Sequence, residues 1–185
     1  MQPEMSRKIS AALRLCVEEK NITITTKKQT NAMKKEEFWS PHFTIEELTV
    51  SPMAVRLGIE NEPDERAIDC LQALSNNVLE PLRVCWDGPI IVNSGYRSPP
   101  VNRAVGGVPN SQHVLGQAAD IRCLDNNPYM NMAMGRMIES LGLEFDQLIY
   151  EGINKEETKC RWIHVSYVRG RNRRKVIRKI ERLRY

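Results

Sequence analysis

Apolar residues recur at helical spacing in two long segments of the chain. Residues 63–84 and 131–141 both place apolar side chains three and four positions apart. Each segment is therefore predicted to be an amphipathic helix that packs one face on a core. Two shorter helices are predicted earlier in the chain. Thr44 begins a capping-box sequence, and the Ser51-Pro52 pair is a helix-start signal followed by Gly58, which fits a helix end.

Four short segments have the composition of strands. They are rich in β-branched, aromatic or other apolar residues and are separated by turn residues, and they span 89–94, 118–122, 146–151 and 162–168. The loop between the first two strands is rich in Gly, Pro, Ser and Asn. Strands and helices in this order predict an α+β domain with a small, mainly antiparallel sheet flanked by helices.

Composition divides the chain into three regions. Residues 1–42 end in a polar, Lys- and Thr-rich stretch and are predicted to be an extension, partly disordered or docked on the body. Residues 43–168 form the predicted domain. Residues 169–185 hold nine Lys or Arg and one Glu, a local charge of +8 in a chain of net charge +4. Within this basic tail, Val176, Ile177, Ile180 and Leu183 recur at about helical spacing, which predicts a short helix with a cationic outer face.

The tail limits the classes of partner. Clustered Lys and Arg suit an anionic surface such as a cell wall, or they simply keep a helix in solvent. Nucleic-acid binding is the weaker hypothesis, because Tyr185 is the only aromatic residue of the tail that would support base stacking. No run of 18 apolar residues predicts a membrane span, and no signal peptide is apparent. We expect synthesis in the cytoplasm, with action on a wall only after export or lysis.

Five scattered cysteines, an odd number with no CxxC pair, argue against a disulfide framework and for a reducing compartment. Cys123 and Cys160 lie near the candidate site described next. A thiolate ligand from either of them is the minor alternative, because free cysteine is mostly a small buried hydrophobe.

Two of the three histidines and one aspartate form the main candidate site. His113 and Asp120 are seven positions apart, and His164 lies on a later predicted strand. Two imidazoles and one carboxylate are a ligand set for zinc that leaves one coordination position open for water. The competing interpretation is structural, because a single strand histidine is more often a hydrogen-bonded core residue. The spacing alone does not decide between them.

The segment around these residues resembles a known family. SQHVLGQAAD, residues 111–120, matches the Ser-x-His-x-x-Gly-x-Ala-x-Asp signature of the zinc D-Ala-D-Ala peptidase superfamily at every fixed position. SGYRS and WIHVSY fit its other two landmarks in the expected order, and the resemblance runs from about Phe43 to Val168. The superfamily includes D-alanyl-D-alanine carboxypeptidases, VanX dipeptidases, phage L-alanyl-D-glutamate endolysins and hedgehog domains. The chain is most similar to the phage-type peptidoglycan peptidases.

The resemblance implies a function and a set of residues. His113, Asp120 and His164 are expected to bind Zn2+. Arg97 is expected to act in catalysis and substrate binding by contacting a substrate carbonyl or carboxylate, its alternative being a solvated loop arginine or a structural salt bridge. Ser111 is expected to orient the ligand loop or contact substrate, its alternative being an ordinary turn-capping serine. The implied activity is hydrolysis of peptidoglycan stem peptides, by a D,D-carboxypeptidase or by an L-alanyl-D-glutamate endopeptidase. The second type suits a phage or prophage lysis enzyme.

The chain departs from the family at one position. Many relatives place the general base three residues before the second histidine, where this chain has Arg161. An arginine does not accept a proton, because its pKa stays above about 12. We expect Glu151, at the end of the neighbouring predicted strand, to serve as the base, with Glu156 and Glu157 as weaker candidates. If none of them does, the domain is a non-catalytic zinc-containing binding module of the same fold.

Overall fold

The computed structural model describes residues 40–180, which fall within a compact unit spanning Phe38–Tyr185. The predicted extension 1–42 lies almost entirely outside the described residues, and so do residues 181–185. The described chain is already part of the fold before residue 43. The Ser40 hydroxyl donates to the buried Glu80 carboxylate at 2.6 Å, and His42 Nδ1 lies 2.7 Å from the same side chain.

Two short helices open the domain, as the sequence predicts. Helix α1 spans Ile45–Thr49 and begins with a capping box at Thr44. Helix α2 spans Pro52–Leu57, with Ser51 as its N-cap and a left-handed Gly58 at its C-terminal end. Both N-caps accept a backbone N–H that the first helical turn would otherwise leave unpaired.

The long amphipathic helix predicted over 63–84 is present but is interrupted. Helix α3 spans Glu65–Leu74, a π-helical turn covers Ser75–Leu79, and helix α4 spans Glu80–Trp86. Their apolar side chains lie in the core, with Leu71, Leu74, Val78, Leu79 and Leu82 fully buried. The π turn adds a residue to one turn of the helix, which hydrophobic spacing over a long window does not reveal.

A five-stranded sheet forms the rest of the frame. Its strands are β1 (Ile90–Ser94), β2 (Ala118–Cys123), β3 (Gln147–Ile153), β4 (Trp162–Ser166) and β5 (Lys175–Ile180). They lie in the order β1-β2-β4-β3-β5. Every pairing is antiparallel except that of β3 with β5, which is parallel. Helix α5 (Pro99–Ala104) lies in the loop between β1 and β2, and helix α6 (Pro128–Ser140) connects β2 to β3. The architecture is the predicted α+β class with a mainly antiparallel sheet.

The two faces of this sheet differ. Helix α6 packs against β2, β3 and β4, and the side chains on that face are buried, among them Ile121, Ile163, Tyr150 and Leu148. The opposite face carries residues that are only partly buried, such as Asp120, His164 and Glu151. Since side chains alternate between faces along a strand, the register assigns these residues to one open face.

The helix predicted in the basic tail is wrong for the residues that the structure describes. Lys175–Ile180 is strand β5, paired in parallel with β3 at the edge of the sheet. Val176 and Ile177 are both partly buried there. A pair of adjacent β-branched residues with one residue on each face suits a strand. Within residues 40–180, no helix has the length and apolar character needed to cross a membrane.

Candidate metal centre

Strands β2 and β4 place two of the candidate ligands side by side. Asp120 is directly opposite His164 in the antiparallel register, and both lie on the open face of the sheet. His113 comes from the loop that precedes β2, and its ring meets the His164 ring edge to face, with centroids 5.0 Å apart. His113 is 3% exposed, so the sheet and its loop bury the site from one side.

Three ligand atoms converge at this point. His113 Nε2 lies 3.1 Å from His164 Nδ1 and 3.3 Å from Asp120 Oδ1, and the last two atoms are 2.9 Å apart. Tetrahedral zinc with ligands at about 2.0–2.1 Å places neighbouring ligand atoms about 3.3–3.4 Å apart. The observed triangle is therefore close to one face of such a tetrahedron and needs only a small expansion. The donor set and the spacing both fit zinc.

A backbone contact selects the ligating nitrogen of His113. Its Nδ1 lies 2.7 Å from the Gly95 carbonyl oxygen, which only accepts hydrogen bonds. The Nδ1 position therefore carries the proton, and the lone pair of a neutral ring is on Nε2, facing Asp120 and His164. Gly95 itself has no room for a side chain, because a Cβ atom there would overlap the Leu48 carbonyl.

The loop that carries His113 is held by main-chain contacts. The His113 carbonyl accepts the Arg97 N–H at 3.1 Å and the Gly116 N–H at 3.2 Å. Gly116 has a φ of +68°, and a Cβ atom there would overlap the Ala67 carbonyl, so glycine is required on both counts. The Ser111 hydroxyl accepts the His113 N–H at 3.4 Å. This contact matches the loop-orienting alternative for Ser111, while its contact with substrate stays a prediction.

Arg97 reaches the cluster through Asp120. Its Nη2 donates to Asp120 Oδ2 at 2.5 Å, and its Nε donates to the Ser94 hydroxyl at 2.7 Å. Asp120 thus points one oxygen at the guanidinium and the other at the two imidazoles. A structural salt bridge is the alternative role considered for Arg97, but the sequence does not indicate that its partner is a candidate ligand 23 residues away.

The Asp120 carboxyl stays ionised in this setting. Burial alone would raise its pKa, but the adjacent imidazole rings of His113 and His164 outweigh burial and hold that pKa well below its usual range. An ionised carboxylate beside a neutral imidazole is the protonation state that binds a metal ion.

Glu151 lies on the same open face as the ligands. On β3 it is opposite Trp162, and the next position on that face, Ile149, is opposite His164. Its Oε1 accepts from Lys179 Nζ of strand β5 at 2.6 Å. Of the weaker candidates, Glu156 accepts from Asn154 and Glu157 pairs with Arg178, and both are exposed. Which carboxylate acts as the base stays a prediction.

The cysteines lie apart from this cluster. Among residues 40–180, the metal-binding group found by geometry consists of His113, Asp120 and His164. Cys123 is three residues from Asp120 on the same strand, which places it on the opposite face. Burial raises the pKa of the Cys160 thiol to about 12 and also raises that of Cys123. Both stay protonated near neutral pH, and a thiol is a poor zinc ligand.

Comparison with known proteins agrees with this geometry. The model of a family described as Peptidase M15 matches residues 41–166, more than half of the chain. The matched range contains all three candidate ligands and both strands that carry them. No match was found among curated proteins.

Proposed function

Because this chain belongs to the peptidase M15 family of zinc-dependent metallopeptidases, we propose that it hydrolyses the stem peptides of peptidoglycan. The bond cut would be D-Ala-D-Ala, as in a carboxypeptidase, or L-Ala-D-Glu, as in an endolysin. The observation that carries the proposal is the convergence of His113 Nε2, Asp120 Oδ1 and His164 Nδ1 on the open face of the sheet. The Asp120 and His164 side chains retain 13% and 12% exposure, so the cluster can be reached from solvent.

The three side chains would hold the metal and keep it reactive. Bound zinc polarises the scissile carbonyl and lowers the pKa of water towards about 7. The chain supplies three ligands and no fourth among the described residues, which is the ligand count of catalytic sites. The Gly95 carbonyl fixes the His113 ring, so the ligand geometry is set before substrate arrives.

Arg97 would stabilise the negative charge that develops on the substrate carbonyl. A guanidinium carries five N–H donors, and the contacts with Asp120 and Ser94 use Nε and one N–H of Nη2. The proposal assigns the remaining donors to the substrate. Such preorganised donors act on charge that appears in the transition state. Ser111 would contribute its hydroxyl proton to the same substrate, since its oxygen already accepts from His113.

Glu151 would accept a proton from the attacking water. Its place on the ligand face supports this role, and the ion pair with Lys179 orients its carboxylate. The side chain would turn towards the reacting water when substrate binds, because catalytic hydrogen bonds often tighten only in the complex.

Binding to an anionic wall would rest on the exposed basic residues near the C-terminal end of the described chain. Arg171, Arg174 and Lys175 are exposed. Other basic residues are neutralised within the domain, where Arg173 pairs with Asp146 and Lys179 with Glu151. This arrangement leaves a smaller cationic surface than the charge of the segment alone predicts. Release of the protein by lysis would bring this surface to the wall.

A second function is favoured by two observations. Arg161 stands where many relatives have an acid, and Glu151 is held by Lys179 in the structure. A domain in which that ion pair persists would bind zinc and a wall peptide without cutting it. This non-catalytic module is the alternative to the peptidase.

Digestion of purified muropeptides with mass readout tests the proposal. The peptidase predicts a product that identifies the bond cut, its loss in chelator and its return with added zinc. The His113→Ala/His164→Ala double variant is the matched control and should give no product. Binding of muropeptides without any product, in protein that contains zinc, would support the module instead.

A further inference from the structure

Asp146 is a buried carboxylate outside the metal centre. It lies just before strand β3 and is 2% exposed. Its Oδ1 accepts the backbone N–H of Arg173 at 3.2 Å and Arg173 Nε at 2.7 Å, and its Oδ2 accepts Arg173 Nη2 at 2.6 Å. The pKa of Asp146 is held below its usual range, chiefly by the Arg173 hydrogen bond. The segment leading into β5 is thus fixed to this carboxylate.

One further donor to Asp146 comes from the metal loop. Gln112 Nε2 donates to Asp146 Oδ2 at 2.9 Å. Gln112 directly precedes His113, and its carbonyl accepts the Leu115 N–H at 3.2 Å and the Gln117 N–H at 2.9 Å. Its backbone therefore organises the turn from which the His113 side chain projects.

Asp146 is also tied to the strand that bears the second imidazole. Its backbone N–H donates to the Ser166 carbonyl at 2.7 Å, and the Gln147 N–H donates to the Ser166 hydroxyl at 3.0 Å. Ser166 is two residues beyond His164 on β4. The same buried residue therefore contacts both elements that supply imidazoles.

We propose that Asp146, braced by Arg173, is a positioning residue that fixes the His113 loop relative to β4 through Gln112 and thereby raises the zinc affinity of the site. The inference rests on the zinc site of the proposed function but not on peptidase activity. It gives the C-terminal segment a role in metal binding, because Arg173 is the residue that neutralises and orients Asp146.

The Gln112→Ala variant isolates this link. It removes the amide that contacts Asp146 and leaves the Asp146–Arg173 ion pair in place. We expect the zinc dissociation constant, measured by competition with a chromophoric chelator, to rise about tenfold, the lower end of the range for partners of metal ligands. Arg178→Gln is the control, and the thermal midpoint of the metal-free protein is measured for both variants. That control removes exposed ion pairs of β5 with Glu139 and Glu157 and should leave zinc affinity within twofold.

A charge swap provides the rescue. Gln112→Glu brings a second carboxylate against Asp146 and should weaken zinc binding more than Gln112→Ala. Adding Asp146→Asn to Gln112→Glu exchanges the two groups, so that an amide at position 146 donates to a carboxylate at position 112. Arg173 can then pair with the carboxylate at position 112. The double variant should recover most of the affinity lost in Gln112→Glu.

The inference is overturned by zinc affinity in Gln112→Ala within twofold of the wild type, by an equal loss in Arg178→Gln, or by a double variant no better than Gln112→Glu. These outcomes leave the peptidase proposal intact. Conversely, normal zinc binding with no product from muropeptides would refute the peptidase and leave this inference standing.

Discussion

The partly buried Asp120 and the fully buried Asp146 are each paired with an arginine, yet their surroundings differ in kind. At Asp146 the hydrogen bonds to the carboxylate all come from N–H donors, of Arg173 and Gln112. At Asp120 one oxygen accepts a hydrogen bond from Arg97, while the other faces an imidazole nitrogen of His113 and one of His164. The His113 nitrogen presents its lone pair. The first cluster is satisfied by the protein itself. The second brings acceptors together, and a cation would complete it.

The comparison teaches how to separate a metal site from a structural ion pair. Both aspartates have a lowered pKa, so the pKa does not discriminate between the two kinds of site. The direction of the hydrogen bonds around the carboxylate distinguishes a metal site from a structural ion pair. Convergent lone pairs repel one another unless a proton or metal ion lies between them, and the sheet register of β2 and β4 forces this convergence.

The largest expected difference is in metal content. Asp120→Ala removes a ligand and should reduce zinc from about one per chain to near zero after dialysis against buffer without metal. Asp146→Ala removes no ligand and should retain zinc, with affinity lowered about tenfold. Elemental analysis of the two purified variants checks this. Equal zinc loss from both would erase the distinction drawn between the clusters.

Removing the general base should lower activity without removing zinc. Glu151→Gln keeps the shape of the side chain but does not accept a proton, so turnover should fall about 10²–10⁴-fold with zinc content unchanged. Glu157→Gln is the matched control, because Glu157 is exposed and pairs with Arg178. Muropeptide turnover measures both. Activity that survives Glu151→Gln and is lost in Glu157→Gln would move the base to the turn between β3 and β4.

Stability should depend on Asp146 without any metal. Asp146→Ala leaves Gln112 and the half-exposed Arg173 without their acceptor, and we expect a loss of about 2–3 kcal/mol in the free energy of unfolding, the range for hydrogen bonds to a charged group. Urea unfolding of the metal-free proteins measures it. A loss below about 0.5 kcal/mol, typical of a surface substitution, would mean that Asp146 does not secure the fold.

The smallest effect is the pH dependence of that contribution. The folded pKa of Asp146 is lowered, so its stabilisation is fully present above the unfolded value of about 3.9 and is lost as pH falls through the folded pKa. The difference in unfolding free energy between wild type and Asp146→Asn should be constant from about pH 5 to 7 and shrink below about pH 4. A difference that grows on acidification would have the wrong sign.

Local patterns predicted much of this molecule. The capping box at Thr44, the Ser51 N-cap and the left-handed Gly58 are read from a few neighbouring residues, and the structure has all three. The ranges 89–94 and 118–122 nearly coincide with β1 and β2. The predicted ligand types and the signature string pointed to His113, Asp120 and His164, which the structure brings together.

Contacts between distant segments cannot be predicted from local sequence patterns. Apolar residues three or four positions apart predict a helix at the segment that forms strand β5. The segment is a strand because it pairs with β3, and local spacing does not reveal that pairing. The Arg97–Asp120 and Gln112–Asp146 contacts join residues 23 and 34 positions apart. The sequence marks Arg97 and Asp120 as site candidates, but only the fold shows that the members of each pair are in contact.

The central claim is that two imidazoles and one carboxylate hold zinc. X-ray absorption at the zinc edge of the loaded wild-type protein tests it most directly. We predict nitrogen and oxygen scatterers alone at about 2.0–2.1 Å, including the outer-shell signal of two imidazole rings. In His113→Ala/His164→Ala that imidazole signal should vanish together with stoichiometric zinc. A sulfur shell at about 2.3 Å would mean that Cys123 or Cys160 binds the metal and would contradict the account, as would wild-type protein that binds no zinc.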